Sequence, residues 1–273
     1  MRSLSLVPTL EHISRLALAP PAPVRRRVWV TALLDLVFPP FCPVCQTRLG
    51  QGRRDPLCGP CWERIERITT PCCGVCGLPF SQFPSAAVDR RPAGASRCGR
   101  CRRRAPEFSY ARSAARYGEV AREALHAFKF GGRRALAAPL GDLLAEMGAA
   151  SLPIPDPALL VPVPLHPRRE RERGFNQSLL LARRLGRAWR LPVRADVLVR
   201  TVATLPQAEL SRETRRSNVR GAFALRHPEL VSGQHVIVVD DVFTTGSTVS
   251  ACALCLKRGG ASAVGVLTVA RAT

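Results

Sequence analysis

The stretch HVIVVDDVFTTGSTVSACALCLKRGG, residues 235–260, decides the fold of this chain. It opens with Val236–Val239, an unbroken β-branched run that is typical of a strand buried on both faces of a parallel sheet. An acidic pair and a hydroxyl-rich loop follow, and then apolar residues recur at helical spacing until a Gly-Gly pair ends the helix. The order strand, tight loop, helix puts the loop at the carboxyl end of the strand, where open α/β sheets bind ligands.

The loop after this strand carries the side chains expected of a ribose 5-phosphate site. Gly246 allows the backbone to turn tightly, and the amino terminus of the following helix favours an anion. Asp240 and Asp241 only accept hydrogen bonds and would repel a phosphate, so we expect them to face sugar hydroxyls, a metal ion or both. Four hydroxyl side chains can donate to phosphate oxygens: Thr244, Thr245, Ser247 and Thr248.

The stretch VIVVDDVFTTGST, residues 236–248, resembles the phosphoribosyl-pyrophosphate (PRPP) loop of type I phosphoribosyltransferases. That pattern is a hydrophobic run, two acidic residues, two variable residues and then T-T/S-G-x-T. The alternative is an ordinary capped helix after a strand, with two solvated aspartates, but capping explains one hydroxyl and not the whole cluster. The chain lacks the Gly-x-x-x-x-Gly-Lys-Ser/Thr pattern of an NTPase P-loop at this position.

Strands and helices alternate from residue 105 onward. We predict strands at 110–117, 159–164, 197–200, 223–225, 236–239 and 263–269, and helices at 119–130, 136–149, 176–189 and after the loop. This order predicts an α/β, type I phosphoribosyltransferase-like fold, whose mostly parallel sheet has helices on both faces and is preceded by a small double zinc ribbon. The expected organisation is a basic extension 1–33, a double zinc ribbon 34–104 and a phosphoribosyltransferase-like domain 105–273.

The zinc ribbon prediction comes from four C-x-x-C pairs: Cys42/Cys45, Cys58/Cys61, Cys73/Cys76 and Cys98/Cys101. Two such pairs complete one tetrahedral zinc site, so we expect two structural zinc ions, with Cys72 as a spectator. Pairing in sequence order gives two ribbons in tandem, and cross-braced pairing is the alternative. Disulfides suit secreted domains, and redox chemistry would need one or two activated pairs rather than four.

The amino-terminal residues 1–33 are basic and are expected to be disordered. The apolar run after Arg27 contains Asp35 and has no small-residue cleavage site before the cysteines, which argues against a signal peptide. No window reaches the ~18–20 apolar residues of a transmembrane helix. We therefore expect a cytoplasmic protein.

The chain is strongly basic, with 41 Lys+Arg against 20 Asp+Glu in 273 residues and a net charge of +21. This predicts attraction to polyanions such as single-stranded DNA, and arginines crowd at 97–104 and at 212–220. A basic protein that meets only small phosphorylated ligands is the alternative. Because residues 97–104 and the PRPP loop fall in different predicted domains, arginine replacements at 100–104 are expected to leave PRPP affinity unchanged.

Three further stretches resemble the ComF family: HAFKFGGRRALA at 126–137, LVPVPLHPRRERERGFNQS at 160–178 and TLPQAELSRETRRSNVRGAF at 204–223. With the cysteine pairs, the resemblance covers residues 34 to 273. It implies a double zinc ribbon joined to a type I phosphoribosyltransferase domain. It also implies a role in DNA uptake during natural competence, together with other competence proteins.

The resemblance also implies site residues. Asp240 and Asp241 would hold the ribose hydroxyls as catalytic residues, 244–248 would clamp the 5-phosphate, and Mg²⁺ would accompany PRPP. Phe175 would either stack on a base or be a core aromatic. The residues implied for the pyrophosphate are Leu165, His166 and Arg168 of one loop, with Arg173 and Lys129 as cationic partners. The residues implied for a flexible hood over PRPP are Gln207, Arg212, Arg216 and Asn218.

Three functions remain open at the level of the sequence. One is transfer of a phosphoribosyl group from PRPP to an acceptor that the residues do not identify, which is glycosyltransferase chemistry. The second is a non-catalytic competence factor that binds single-stranded DNA. The third is a PRPP-sensing regulator without turnover.

Overall fold

The computed structural model of the chain describes residues 41–50, 56–80, 96–151, 158–202 and 221–272. Two groups of predictions lie outside these residues: the basic extension 1–33, and the hood residues Gln207, Arg212, Arg216 and Asn218. The elements in chain order are α1 (Gly59–Glu63), α2 (Gly99–Arg103), β1 (Tyr110–Arg116), α3 (Glu119–Lys129), α4 (Ala137–Ser151), β2 (Ala158–Pro162), α5 (Pro167–Arg173), α6 (Gln177–Trp189), β3 (Leu198–Arg200), β4 (Phe223–Leu225), β5 (His235–Phe243), α7 (Ser247–Arg258) and β6 (Ala263–Arg271).

Four strands form a parallel sheet in the order β1-β6-β5-β2, as the alternating pattern predicts. The pairing of Pro162 with Val239 brings the carboxyl ends of β2 and β5 together, and Val163 N–H extends the pairing by donating to Val239 O at 2.9 Å. The loops that follow these two strands therefore lie side by side at one edge of the sheet. This edge holds the candidate site.

Helices cover both faces of the sheet, and alternate residues of β5 face the two apolar clusters. Ile237 and Val239 pack in the cluster that contains residues of α4 and α6, whereas Val236 and Val238 pack in the cluster of α7. This burial on both sides explains why the strand has no polar break. The fold class predicted from the sequence is confirmed.

Strands β3 and β4 are not members of this sheet, which corrects the expectation of one sheet. They pair with each other antiparallel, Leu198 opposite Leu225. Each has three residues, of which one is buried and two are half-buried. Strands with so little burial on both faces lack the property that suits a central parallel position.

The cysteine module packs on the sheet at two places. Cys42, Cys58 and Cys61 belong to the apolar cluster that includes Val120 and Ala115, and the four cysteines from 73 to 101 belong to the cluster of α7. The two ribbons thus pack in different apolar clusters. The boundary predicted between residues 104 and 105 remains a prediction from the sequence. Among the described residues, no helix combines the length and apolar character needed to cross a membrane.

Candidate functional site

The acidic pair lies at the carboxyl end of β5, and both side chains are buried, Asp240 at 8% and Asp241 at 3% exposure. Ser178 Oγ donates to Asp240 Oδ1 at 2.9 Å, and the backbone N–H of Asp241 donates to the same oxygen at 3.0 Å. Ser178 is held there because Asn176 caps α6: its side-chain oxygen accepts from the N–H groups of Ser178 and Leu179. The first turn of α6 thereby orients one carboxylate.

Lys129, the last residue of α3, neutralises the second carboxylate. Its Nζ lies 2.8 Å from Asp241 Oδ2, and its side chain is 22% exposed. Burial is the largest single influence on the pKa of Lys129 and would lower it, but the charge and hydrogen bond of Asp241, together with the charge of Asp240, outweigh burial and raise the pKa. This predicted pyrophosphate partner therefore forms an ion pair with a carboxylate of the site.

Asp240 has an unusual protonation equilibrium. Burial, and then the neighbouring charge of Asp241, raise the pKa of Asp240 from its ordinary 3.8 to about 7, although Lys129 acts in the opposite direction. Lys129 forms its ion pair with Asp241, and the pKa of Asp240 remains raised beside it. The arrangement suits a ligand that brings hydroxyl donors or a cation to Asp240.

We expect the stability of the protein to reflect this titration. Because the pKa of Asp240 is raised to about 7, the folded chain binds more protons than the unfolded chain between about pH 4 and about pH 7. Its free energy of unfolding therefore falls as pH rises through that window. Asp240→Asn removes this titration, so the Tm of the wild type relative to the variant should decrease from about pH 5 to about pH 8, as measured by thermal unfolding.

His235 also titrates in this pH range, so the effect of Asp240 is measured as the difference in Tm between the wild type and the variant. Burial lowers the pKa of His235, so its titration changes stability in the opposite direction across an overlapping window. That contribution is common to both proteins and cancels. A difference in Tm that stays constant or grows with pH would contradict the raised pKa of Asp240.

The hydroxyl-rich loop joins β5 to α7. Gly246 precedes the helix with φ +75°, and a Cβ there would lie 2.6 Å from Phe243 Cζ, so only glycine fits. Thr245 Oγ1 contacts Ser247 Oγ at 2.8 Å and accepts from Ser247 N–H at 3.3 Å. Thr244 and Thr248 are half-buried beside them. The loop therefore combines hydroxyls with the amino terminus of a 12-residue helix, which is the arrangement that binds phosphate.

The neighbouring loop after β2 leads into α5. Leu165 and His166 are half-buried, and His166 Nδ1 accepts from the N–H of Arg168 at 3.3 Å, which caps the helix. Arg168 is exposed, and its Nε lies 3.0 Å from Glu172 Oε1. His166 thus shapes the loop, and Arg168 is paired on the surface of α5.

Arg173 is half-buried within reach of the charges of the acidic pair. Burial lowers the pKa of its guanidinium, against the opposing charges of Asp241 and Asp240. It donates to Gln177 Oε1 at 2.5 Å and lies 5.1 Å from the centroid of the exposed Phe130 ring. A cation and an exposed aromatic ring therefore lie side by side here.

Phe175 is a core aromatic rather than an open stacking surface. It is buried at 8% exposure, 5.8 Å from the ring of Phe128 and 4.9 Å below the guanidinium of Arg134. Of the two roles that the sequence left open for Phe175, the folded chain shows the core aromatic, because this ring packs inside the apolar cluster.

The eight paired cysteines form two clusters, Cys42/Cys45/Cys58/Cys61 and Cys73/Cys76/Cys98/Cys101, in each of which all sulfur atoms lie within 4.8 Å of one another. Pairing is therefore sequential and not cross-braced. The contacts Cys45–Cys58 at 3.5 Å and Cys76–Cys98 at 3.7 Å are too long for disulfides. They fit the ~3.8 Å that separates sulfurs around a tetrahedral Zn²⁺ with ~2.3 Å bonds. Cys72 belongs to neither cluster.

Comparisons with known proteins agree with both parts of this architecture. Residues 33–102 match the double zinc ribbon domain, and residues 180–273 match the phosphoribosyl transferase domain. DNA utilization protein YhgH of Escherichia coli is 36% identical over 243 residues, which are 86% of this chain and 99% of that protein. Competence protein ComFC of Bacillus subtilis is 30% identical over 223 residues, 80% of this chain and 85% of that protein. The chain belongs to the ComF family.

Competence protein F of Haemophilus influenzae is a more distant relative of this ComF-family protein, 29% identical over 80% of the chain and 92% of the relative. Among solved structures, glutamine phosphoribosylpyrophosphate amidotransferase of Bacillus subtilis has 19% identity and a TM-score of 0.34, over 49% of this chain and 26% of that one. A likeness at that level carries no argument about the site.

Three contacts at the site of this ComF-family protein have no counterpart in the sequence patterns. Ser178 binds Asp240, as described above. From the second ribbon, the Arg100 guanidinium donates to the backbone carbonyl of Thr245. Arg271, at the end of β6, donates through Nη1 to Cys76 O at 2.7 Å and stacks on Phe243, 4.4 Å from the ring centroid. Spacing along the chain could not reveal these contacts, because each joins distant segments.

Proposed function

We propose that this ComF-family protein binds PRPP together with Mg²⁺ and transfers its phosphoribosyl group to an acceptor. The observation that carries the proposal is the placement of two buried carboxylates, Asp240 and Asp241, immediately before a glycine turn and a helix amino terminus. A phosphate and a pair of sugar hydroxyls are the ligand groups that these two features complement. The match of residues 180–273 to the phosphoribosyl transferase domain supports the same function.

Each side chain then has a role at a defined part of PRPP. The hydroxyls of 244–248 and the amides that begin α7 hold the 5-phosphate. Asp240 and Asp241 accept from the ribose hydroxyls and stabilise the positive charge that develops at the ribose ring as pyrophosphate departs. Lys129 and Arg173 lie beside the acidic pair and supply positive charge for the pyrophosphate. Bound Mg²⁺ would neutralise the phosphate oxygens of the leaving group.

Asp241→Asn should weaken PRPP binding by about 1–3 kcal/mol, the usual effect of losing hydrogen bonds to a charged group. The substitution keeps the size of the side chain and removes the charge that Lys129 faces at 2.8 Å. Calorimetry with PRPP and Mg²⁺ measures the change. Glu229→Gln is the control, because this exposed carboxylate pairs with His227 and is not part of the site. Unchanged affinity in Asp241→Asn would place the ligand elsewhere.

Turnover separates an enzyme from a PRPP sensor. Pyrophosphate release from PRPP, measured across a panel of nucleobases and other acceptors, is expected to rise above the background rate with at least one acceptor. Binding that depends on Asp241, without pyrophosphate release for any acceptor, would instead identify a sensor of PRPP.

Handling of single-stranded DNA is a second candidate function, and we propose it for a different part of the surface. Arg97, Arg102, Arg103 and Arg104 are exposed around the last cysteine pair. Arginine binds phosphates through a planar fork and stacks on unpaired bases. Relatives of this chain are named for competence or for DNA utilization. The proposal also includes a cytoplasmic location, where reduced thiols are available to bind zinc.

A further inference from the structure

The second cysteine cluster, Cys73/Cys76/Cys98/Cys101, is in direct contact with the hydroxyl-rich loop 244–248, which is called the phosphate-binding loop below. Helix α2 begins after Cys98 and contains Cys101, so Arg100 lies between two expected zinc ligands. The Arg100 guanidinium donates to the carbonyl oxygen of Thr245, 145 residues further along the chain. Thr245 immediately precedes Gly246, the residue at which the loop turns into α7.

A second link joins the same cluster to the strand that carries the loop. Arg271 is buried at 4% exposure and donates to Cys76 O at 2.7 Å, while its guanidinium covers the ring of Phe243. Phe108 packs edge-on against the same ring, 5.9 Å between centroids. The space available to Gly246 is in turn limited by Phe243. The ribbon therefore contacts the loop through its backbone and through the ring beneath it.

The geometry of the peptide explains what the Arg100 contact does. In a trans peptide the C=O and the N–H point in opposite directions. Holding the Thr245 carbonyl on Arg100 therefore turns the N–H of Gly246 away from α2. Because glycine tolerates many backbone conformations, the peptide before Gly246 is the part of the loop that most needs such a restraint.

We propose that the second cysteine cluster, through Arg100, positions the phosphate-binding loop for the 5-phosphate of its ligand. Arg100 is a positioning residue here, because it acts through the Thr245–Gly246 peptide. The identity of the ligand in this inference rests on the proposed function. The ordering of the loop by Arg100 does not depend on that identity. Cysteines of the first cluster pack instead in the apolar cluster that contains residues of α4 and α6.

The test compares the full-length zinc-bound protein with Arg100→Ala, Arg100→Lys and Arg187→Ala. Arg187 is exposed in α6 and controls for the loss of one positive charge. Hydrogen exchange of the amides at 246–250 reports loop order without ligand, including the Ser250 N–H bond to Gly246 O. Calorimetry with PRPP and Mg²⁺ and with ribose 5-phosphate reports binding, and metal analysis reports the zinc content.

We expect Arg100→Ala to speed exchange at 246–250 and to weaken both ligands by about three- to tenfold, the effect of losing one such hydrogen bond, with two zinc ions retained. Arg100→Lys should recover part of both effects, and Arg187→Ala should show neither. Weaker binding without faster exchange would mean that Arg100 attracts phosphate by charge alone, and would overturn the inference. So would loss of zinc in Arg100→Ala, because the effect would then come from unfolding of the ribbon. A wild type that binds neither ligand would refute the proposed function, while the exchange data would still decide the role of Arg100.

Discussion

Removal of zinc should unfold the cysteine module and lower the Tm of the whole protein by at least about 10–20 °C. Structural zinc contributes about 10–16 kcal/mol of apparent binding free energy in small zinc domains, and this energy is coupled to folding. A loss of only ~5 kcal/mol corresponds to about 10–20 °C for a chain of this size. The effect should extend beyond the ribbons, because their cysteines pack in the two apolar clusters of the sheet.

Metal analysis of protein purified under reducing conditions, followed by thermal unfolding with and without a chelator, measures both parts of this prediction. We expect two zinc ions per chain. Cys45→Ser should lose one of them, whereas Cys72→Ser should retain both, because Cys72 belongs to neither cluster. Protein that contains no zinc, or whose unfolding curve is unaffected by the chelator, would show that the cysteine clusters do not depend on metal.

Single-stranded DNA should bind with little sequence preference and a steep dependence on salt. For a single strand, the slope of log affinity against log salt is about −0.7 per phosphate neutralised. A site that neutralises about six phosphates would therefore lose about 300-fold in affinity between ~50 and ~200 mM salt. This prediction rests on the net charge of +21 and on the exposed arginines of α2. Fluorescence anisotropy with a labelled oligonucleotide at several salt concentrations measures the slope.

The variant for this experiment is Arg102→Ala, Arg103→Ala and Arg104→Ala together, which should reduce the magnitude of the slope by about two. Arg100 is left out. That arginine replacements at 100–104 leave PRPP affinity unchanged stays a prediction, but its premise of separate sites does not hold for Arg100, because this side chain contacts Thr245. The triple variant should keep the PRPP affinity of the wild type. If the wild type shows no binding even at low salt, the positive charge is only a solvated surface.

Much of the site could be predicted from the sequence because its chemistry is local. The β-branched run, the acidic pair and the hydroxyl-rich loop occupy adjacent positions, and a strand followed by a glycine turn and a helix has few other ways to fold. The C-x-x-C pairs likewise carry their ligand spacing within four residues. Short-range patterns of this kind predicted β5, α7 and the eight cysteines that form the two clusters. They also assigned β3 and β4 as strands, but not their separation from the main sheet.

The sequence by itself therefore determined the strand–loop–helix unit, the order of the acidic pair and the hydroxyl-rich loop within it, and the existence of two four-cysteine clusters. Only the tertiary structure decided which distant groups act on them. Ser178 reaches Asp240 across 62 residues, Lys129 neutralises Asp241, and Arg100 reaches Thr245 across 145 residues. The physical reason is that the order of the strands in the sheet, β1-β6-β5-β2, differs from their order along the chain. Both faces of the sheet are also buried. Side chains from separate segments then meet at one edge, where charge and hydrogen bonding depend on distance in space and not on spacing in the chain.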